Sequence, residues 1–239
     1  MTSDRAAREP LPVLPLDASE IPPGDTLALP TPLTGVRREI WDRALPYLDV
    51  RDNDAHSLYA YALATALLNA LPEARAEAPE EIVLPAVLLH DTGWKMVDPA
   101  DILPAIARRS GPAAHETTRR HETEGAAVAA RILADVGYPA RDTERIVAII
   151  DGHDTRREAL GLDDAMVKDA DKLWRLTPHG LRTIGAWFAL DRDQTLRFVA
   201  ARTYDRLLTE PARAIGAALA AVARTDLGDQ RRGRSAPTP

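Results

Sequence analysis

Apolar residues recur with the period of an α-helix along most of this chain, and prolines and glycines cut the periodic stretches into helix-sized pieces. The 35–48 stretch places Val36, Ile40, Trp41, Ala44 and Leu45 on one face. The next covers 54–71, with Asp54 as N-cap and Pro72 as its stop. Pro79, Glu80 and Glu81 open a third, which runs to His90 before Gly93 interrupts it; proline suits the first turn and acids suit the positive end of the helix dipole. A shorter pattern covers 100–109, ahead of the Ser110-Gly111-Pro112 break, and another covers 121–136, stopped by Gly137 and Pro139. Asp142 or Thr143 caps a helix ending near His153, and Asp163 caps one over 164–176. Stretches at 180–190, 193–208 and 211–224 complete the set. No stretch alternates with the period of a strand, and no internal repeat is present. The expected fold is all-α, a single helical domain over 34–226 of roughly eight to ten helices. A Pro-rich arm at 1–33, extended across the domain or without structure of its own, precedes it, and a polar tail at 227–239 follows.

Composition narrows the function. Aromatic residues are only 5% of the 239, so alanine and leucine must do most of the packing. The net charge of −6 argues against a duplex nucleic-acid partner, which calls for a basic surface. With no cysteine, any metal must be held by nitrogen and oxygen. The longest apolar run, 82–89, contains Pro85 and falls far short of the ~20 residues that span a bilayer. Residues 1–10 carry no apolar signal core. The expected setting is cytoplasmic, without membrane contact.

Chemistry-bearing residues gather at the ends of these helices. His56 follows Asp54, His90 closes VLLHDTGW, His121 opens RRHETEGA and His153 closes IIDGHDTR. A helix end lets a polar head leave the packed face for a shared cleft. His90 and Asp91 follow buried-helix sequence directly, and burying a carboxylate beside an imidazole is costly unless something compensates. A cation would do so; equally, Asp91 can cap Thr92-Gly93 with His90 a satisfied core histidine. In VKDADKLWRL, Asp169 and Asp171 point about 200° apart on a helix and cannot share a site. Met166, Val167, Ala170, Leu173 and Trp174 mark the buried side, with Asp171 nearer to it. Alone, this stretch reads as a solvated acidic face as readily as a ligand. His115 reads as a loop residue and His179 as part of a Thr-Pro-His-Gly turn.

The ordered set of His56, then His90-Asp91, then a distant Asp closing Lys168-Asp169-Ala170-Asp171-Lys172-Leu173 resembles the HD-domain metalloproteins. The resemblance covers about residues 50–180 and its closing motif puts the ligand at Asp171. It implies a divalent ion held by His56, His90, Asp91 and Asp171. His121 and His153 fall in the interval where some members carry two further histidines, which implies a second ion with Asp91 bridging. Where many members carry Lys after the doublet, this chain has Trp94, and Lys95 follows. No Gly-Tyr-Pro signature of the cyclic-dinucleotide branch is present.

Nitrogen and oxygen ligands suit Mn, Fe, Co, Mg or Zn. Two such ions activate water and clamp a phosphoryl oxygen, and phosphate ester hydrolysis is what the resemblance implies. The expected substrate is a small phosphorylated metabolite or nucleotide. Lys95, Arg119 and Lys168 are candidates to bind its phosphate, and Arg120 and Arg156 lie nearby in sequence. Besides Asp91, Glu122 and Asp154 are candidates to orient the attacking water or take its proton, although Glu122 also fits as a helix first-turn acid. A branch of the same superfamily uses six such ligands to hold two irons and cleaves C–C or C–P bonds with O₂. A third reading is a non-catalytic, metal-stabilised sensor domain, against which six intact ligands argue. The Trp187–Phe188 region and the C-terminal helices are apolar enough to pack inward or against a partner chain.

Overall fold

Ten α-helices and no strand make up the described residues of the computed structural model, which are Ser19, residues 32–108 and residues 111–224. Apart from Ser19, Pro32 and Leu33, the arm at 1–33 lies outside them, as does the whole tail at 227–239. None of the described helices is long and apolar enough to cross a membrane.

The all-helical expectation holds, and α3 (Glu80–Leu89) is its axis. Every residue from Ile82 to Leu89 is buried, and α1 (Gly35–Leu48), α2 (Asn53–Ala70), α6 (Ala140–Ile150) and α7 (Leu162–Trp174) pack around it. Pro85 sits inside this helix and cannot donate to the Glu81 carbonyl. Tyr138 supplies the missing donor, its hydroxyl bonding Glu81 O at 2.6 Å. A proline that would break an exposed helix is thereby tolerated in a buried one.

α4 (Pro99–Arg108) and α5 (Pro112–Asp135) follow, joined to α3 by a 3-10 turn, Thr92–Met96. That turn lies directly against α5, where Gly93 and Gly125 bring the two backbones into contact. Beyond α7, the helices α8 (Pro178–Phe188) and α9 (Arg192–Thr203) pack as a hairpin around a separate apolar cluster of Trp174, Leu176, Ile184 and Val199. Helix α10 (Glu210–Arg224) returns to α7 and α2.

Several boundaries differ from the sequence reading. α5 begins nine residues before His121, because Pro112 occupies its first turn behind Gly111, whose φ of 108° only glycine adopts readily. His121 is therefore mid-helix and His115 helical. Pro139 stands at the start of α6 as well as beyond the end of α5, and α6 closes at Ile150, before Gly152 (φ 120°) turns the chain. Asp54 lies in the first turn of α2, not at its cap, which falls to Asp52. Asp163 likewise sits inside α7, where Arg145 holds it at 2.6 and 2.7 Å. Thr177 caps α8, so His179 belongs to a helix, and a capping box of Asp191 and Gln194 opens α9.

The largest departure is α7. Rather than presenting an acidic face to solvent, it is buried on all sides from Asp163 to Trp174. Asp169 accepts bonds from Leu208 N, Thr209 N and Thr209 Oγ1 at 2.7–2.8 Å. Lys172 Nζ donates to Lys168 O, and Lys168 Nζ to Arg156 O. Each buried polar group named here thus has a partner, which is the condition for burying it at all.

Candidate metal centre

Five elements deliver the candidate ligands. His56 stands in the first turns of α2, behind Arg51 and Asp52, whose positive φ values of 54° and 66° turn the chain into the helix. His90 is the C-cap of α3 and Asp91 follows it. His121 comes from the middle of α5, His153 from the turn after α6, and Asp171 from α7. All six side chains are buried.

The imidazole Nε2 atoms converge on the two carboxylates. His56 and His90 Nε2 are 3.0 Å apart, and His121 and His153 Nε2 are 3.4 Å apart. Asp91 faces both pairs: Oδ2 is 3.4 Å from His56, and Oδ1 is 3.6, 3.9 and 3.7 Å from His90, His121 and His153. Asp171 Oδ1 adjoins the first pair, at 3.6 Å from His56 and 4.0 Å from His90. Donor atoms each about 2.1 Å from one ion lie roughly 3.0 Å apart at right angles and 3.4 Å apart in a tetrahedron. The two groups, His56–His90–Asp91 and Asp91–His121–His153, are close to that spacing, and each could hold a metal ion.

Hydrogen bonds behind two of the rings aim them, while Nδ1 of His56 and of His121 is buried without such a bond. Nδ1 of His90 meets Val87 O at 2.7 Å, and Nδ1 of His153 meets Ile150 O at 2.9 Å. A carbonyl only accepts, so Nδ1 carries the hydrogen and Nε2 is left to take a proton or an ion. The same device, a ring bonded to the carbonyl three residues back, thus ends both α3 and α6. Trp94 stacks on His121 with centroids 3.9 Å apart and rings 10° from parallel, and its Nε1 donates to Asp91 Oδ1 at 3.1 Å. Trp174 meets His56 edge-on at 4.5 Å.

Histidines aside, the charged groups that face the cluster are matched in number. Three acids, Asp91, Asp154 and Asp171, face three bases, Arg51, Lys172 and Arg175. Burial works to raise Asp91, but His90, His153, His56 and Arg51 outweigh it and hold the carboxyl well below its usual range. Burial also lowers His56 and His121 to about 4. His153 is buried too, yet its contact with Asp91 and the charge of Asp154 push it up to about 9. Arg175 bonds Asp171 Oδ2 at 3.1 Å and lies 3.8 Å from Asp154 Oδ1.

Asp154 is the carboxylate best placed to meet a reacting group, its Oδ2 lying 3.8 and 3.9 Å from the Nε2 atoms of His121 and His153. Glu122 is not free to act as a base. Its two oxygens accept bonds from Asp154 N, Thr155 N, Thr155 Oγ1 and Arg119 at 2.6–2.8 Å, so it fastens the His153 turn to α5. Arg119 is spent on Glu122 and Asp151, and exposed Lys95 on Asp49 at 2.6 Å. Neither borders the adjoining cavity. Lys168 does, with its ammonium bound to Arg156 O at 2.9 Å and to Asp164 at 3.3 Å. Arg120 is exposed. His115 is an exposed residue at the cavity's edge, and His179 accepts from Trp174 Nε1 and pairs with Asp52 at 2.9 Å.

The cations that do face the centre, Arg51, Lys172 and Arg175, were not picked out as phosphate-binding candidates from sequence. Arg51 is held between two indoles, 4.6 Å from Trp94 and 5.1 Å from Trp187, with Nη2 3.6 Å from Asp91 Oδ2. Lys172 lies one residue beyond Asp171, inside the motif that with HDTGWK holds all three lysines of the chain, and Arg175 lies one turn beyond it. A cavity of about 790 Å³ opens from the His and Asp cluster toward α8 and α9.

Compared with known proteins, residues 53–176, just over half of the chain, match the HD domain family. That span contains all six convergent His and Asp residues. No curated protein and no solved structure matches the chain.

Proposed function

The chain belongs to the HD domain family, and from that premise we propose that it is a metal-dependent phosphohydrolase of small phosphorylated molecules, with two divalent ions sharing Asp91. The charge balance carries this reading. Asp91, Asp154 and Asp171 already offset Arg51, Lys172 and Arg175, so divalent ions would leave the site more positive even after one of them displaces the His153 proton. An anionic substrate offsets part of that charge, and a phosphate monoester brings about two negative charges near neutral pH. His56, His90 and Asp171 would hold one ion, His121 and His153 the other, from the set Mn, Fe, Co, Mg or Zn.

Ions bound there would supply an activated water and a polarised phosphoryl oxygen. The chain's own groups do the rest. Arg51, Lys172 and Arg175 surround the carboxylates and would stabilise the charge on the non-bridging phosphoryl oxygens. Asp154, held ionised because His153, Arg175 and His121 outweigh its burial, accepts a hydrogen bond from the attacking water and orients it. Glu122 keeps Asp154 and His153 in place from behind.

The test is to load purified protein with each metal, count ions per chain, and follow phosphate release from a panel of phosphate monoesters with an oxygen electrode in the same cell. Two ions per chain and phosphate release without oxygen uptake are expected. Oxygen consumption with two irons bound would replace hydrolysis with the oxygenase reading. Full metal with neither reaction would leave a sensor domain.

A further inference from the structure

The cavity is far larger than the metal centre needs, and its two ends differ in chemistry. At one end stand His56, Asp91, His153 and Asp171 with Arg51, Lys172 and Arg175. The other is walled by Ile184, Trp187 and Phe188 of α8 and by Phe198 and Val199 of α9. The rings run on from one another: Trp174 to Trp187 at 6.2 Å, Trp187 to Phe188 at 6.5 Å, and Phe188 to Phe198 at 5.4 Å.

These rings pack on the small α8–α9 cluster and also face the cavity. The chain has four tryptophans and two phenylalanines, and all but Trp41 line the cavity. The main core is built chiefly from Ala, Leu, Ile and Val, with Trp41 and Tyr61 as its buried aromatic residues. Trp187, Phe188 and Phe198 are only half-buried, so apolar surface is left facing the cavity. Large apolar surface in a concave site is the usual sign of a ligand's apolar part.

The wall also lacks what a sugar or nucleobase would require. Among the described cavity-lining residues of α8 and α9, Arg202 is the one with a charged side chain. Its guanidinium lies 3.6 Å over the Phe198 ring and donates to Phe198 O and Ala107 O. The exposed charged lining residues Arg157, Asp205 and Arg206 lie outside α8 and α9. Hydroxyls or ring nitrogens placed against this wall would lose their water without gaining partners.

Building on the phosphohydrolase reading, we propose that the α8–α9 wall is a subsite for an apolar, ring-sized group, so that the substrate is a phosphate monoester with an apolar organic body rather than a sugar phosphate or a nucleotide. Arg51 marks the junction, its guanidinium stacked between Trp94 at the metal end and Trp187 at the wall.

Binding of non-hydrolysable phosphonates to the metal-loaded full chain, measured by calorimetry, tests this without relying on turnover. 1-Naphthylmethylphosphonate should bind at least about tenfold tighter than methylphosphonate, the gain coming from apolar area removed from water. A phosphonate analogue of ribose 5-phosphate should show no such gain. In Phe198→Leu and Trp187→Leu, the ratio of naphthyl to methyl affinity should fall toward one. Equal affinities in the unmodified protein, or tighter binding of the sugar analogue, would overturn the subsite whatever the variants do. The outcomes also separate the two readings. Naphthylacetate binding without phosphate ester hydrolysis keeps the subsite and removes the phosphohydrolase. Hydrolysis with no preference for apolar esters does the reverse.

Discussion

The contact between Gly93 and α5 should govern both stability and metal loading. A Cβ on Gly93 would overlap the His121 carbonyl oxygen and the Gly125 amide nitrogen and lie 2.9 Å from Gly125 Cα. All three are backbone atoms, so no side chain can turn aside. A carbon–oxygen contact needs about 3.3 Å, so the 3-10 turn and α5 would have to part by roughly 1 Å or more. Overpacking a close-packed interior costs about 1–3 kcal/mol, and with backbone on both sides the upper end applies. At about 2–4 °C per kcal/mol for a chain of this size, Gly93→Ala should lower the Tm by roughly 6–12 °C. It should also carry His121 away from Asp91, which precedes Gly93 by two residues, by more than the ~0.2 Å a metal site tolerates. Gly125→Ala is the matched control. Its Cβ would meet His90 O at 3.2 Å and Gly93 N at 3.3 Å, a crowding of tenths of an ångström. The helix-forming advantage of alanine, up to about 1 kcal/mol, works against that cost. Thermal melts of the metal-free proteins and metal counts on the loaded ones are the measurements. A Gly93→Ala protein melting within about 2 °C of the parent with undiminished metal would refute the reasoning, as would equal damage from both substitutions.

His121→Ala should remove one of two bound ions and Asp91→Ala both, with helicity by circular dichroism nearly unchanged; unchanged stoichiometry in His121→Ala would sink the two-ion assignment. Glu122→Gln should cost about 1–3 kcal/mol of stability through weakened bonds to the 153–155 turn, yet leave the shape of the pH–rate profile intact. Loss of all activity at unchanged stability would instead make Glu122 the base. A proton on His153, held up to about 9, competes with an ion for Nε2. Affinity at the Asp91–His121–His153 group should therefore rise about tenfold per pH unit from neutrality and level off above that value, whereas a flat titration would show that His153 is not displaced from its proton.

The helices were legible because prolines and glycines break the periodicity at nearly every boundary. What a single proline does was not legible, since Pro112 and Pro139 read as stops while each stands at a helix start. The convergence of His56, His90, Asp91, His121, His153 and Asp171 was foreseen from motif order. The surroundings of those residues were not, because they depend on distant partners. Glu122 is occupied by a turn 32 residues away. Arg51 is enclosed only once Trp94 and Trp187 close over it. Asp169 read as solvated because a helical wheel cannot show that the chain returns 39 residues later to cover it.

That return has a consequence for where this protein can be cut. The family match stops at Leu176, but the backbone amides that satisfy Asp169 lie at Leu208 and Thr209. Ending the chain at 176 would leave a carboxylate without its donors two residues from Asp171, and would bare the side of α7 that α10 covers. The segment shared with relatives and the segment able to stand alone are therefore different lengths of chain, and the residues after the match are the outer wall of the one that folds.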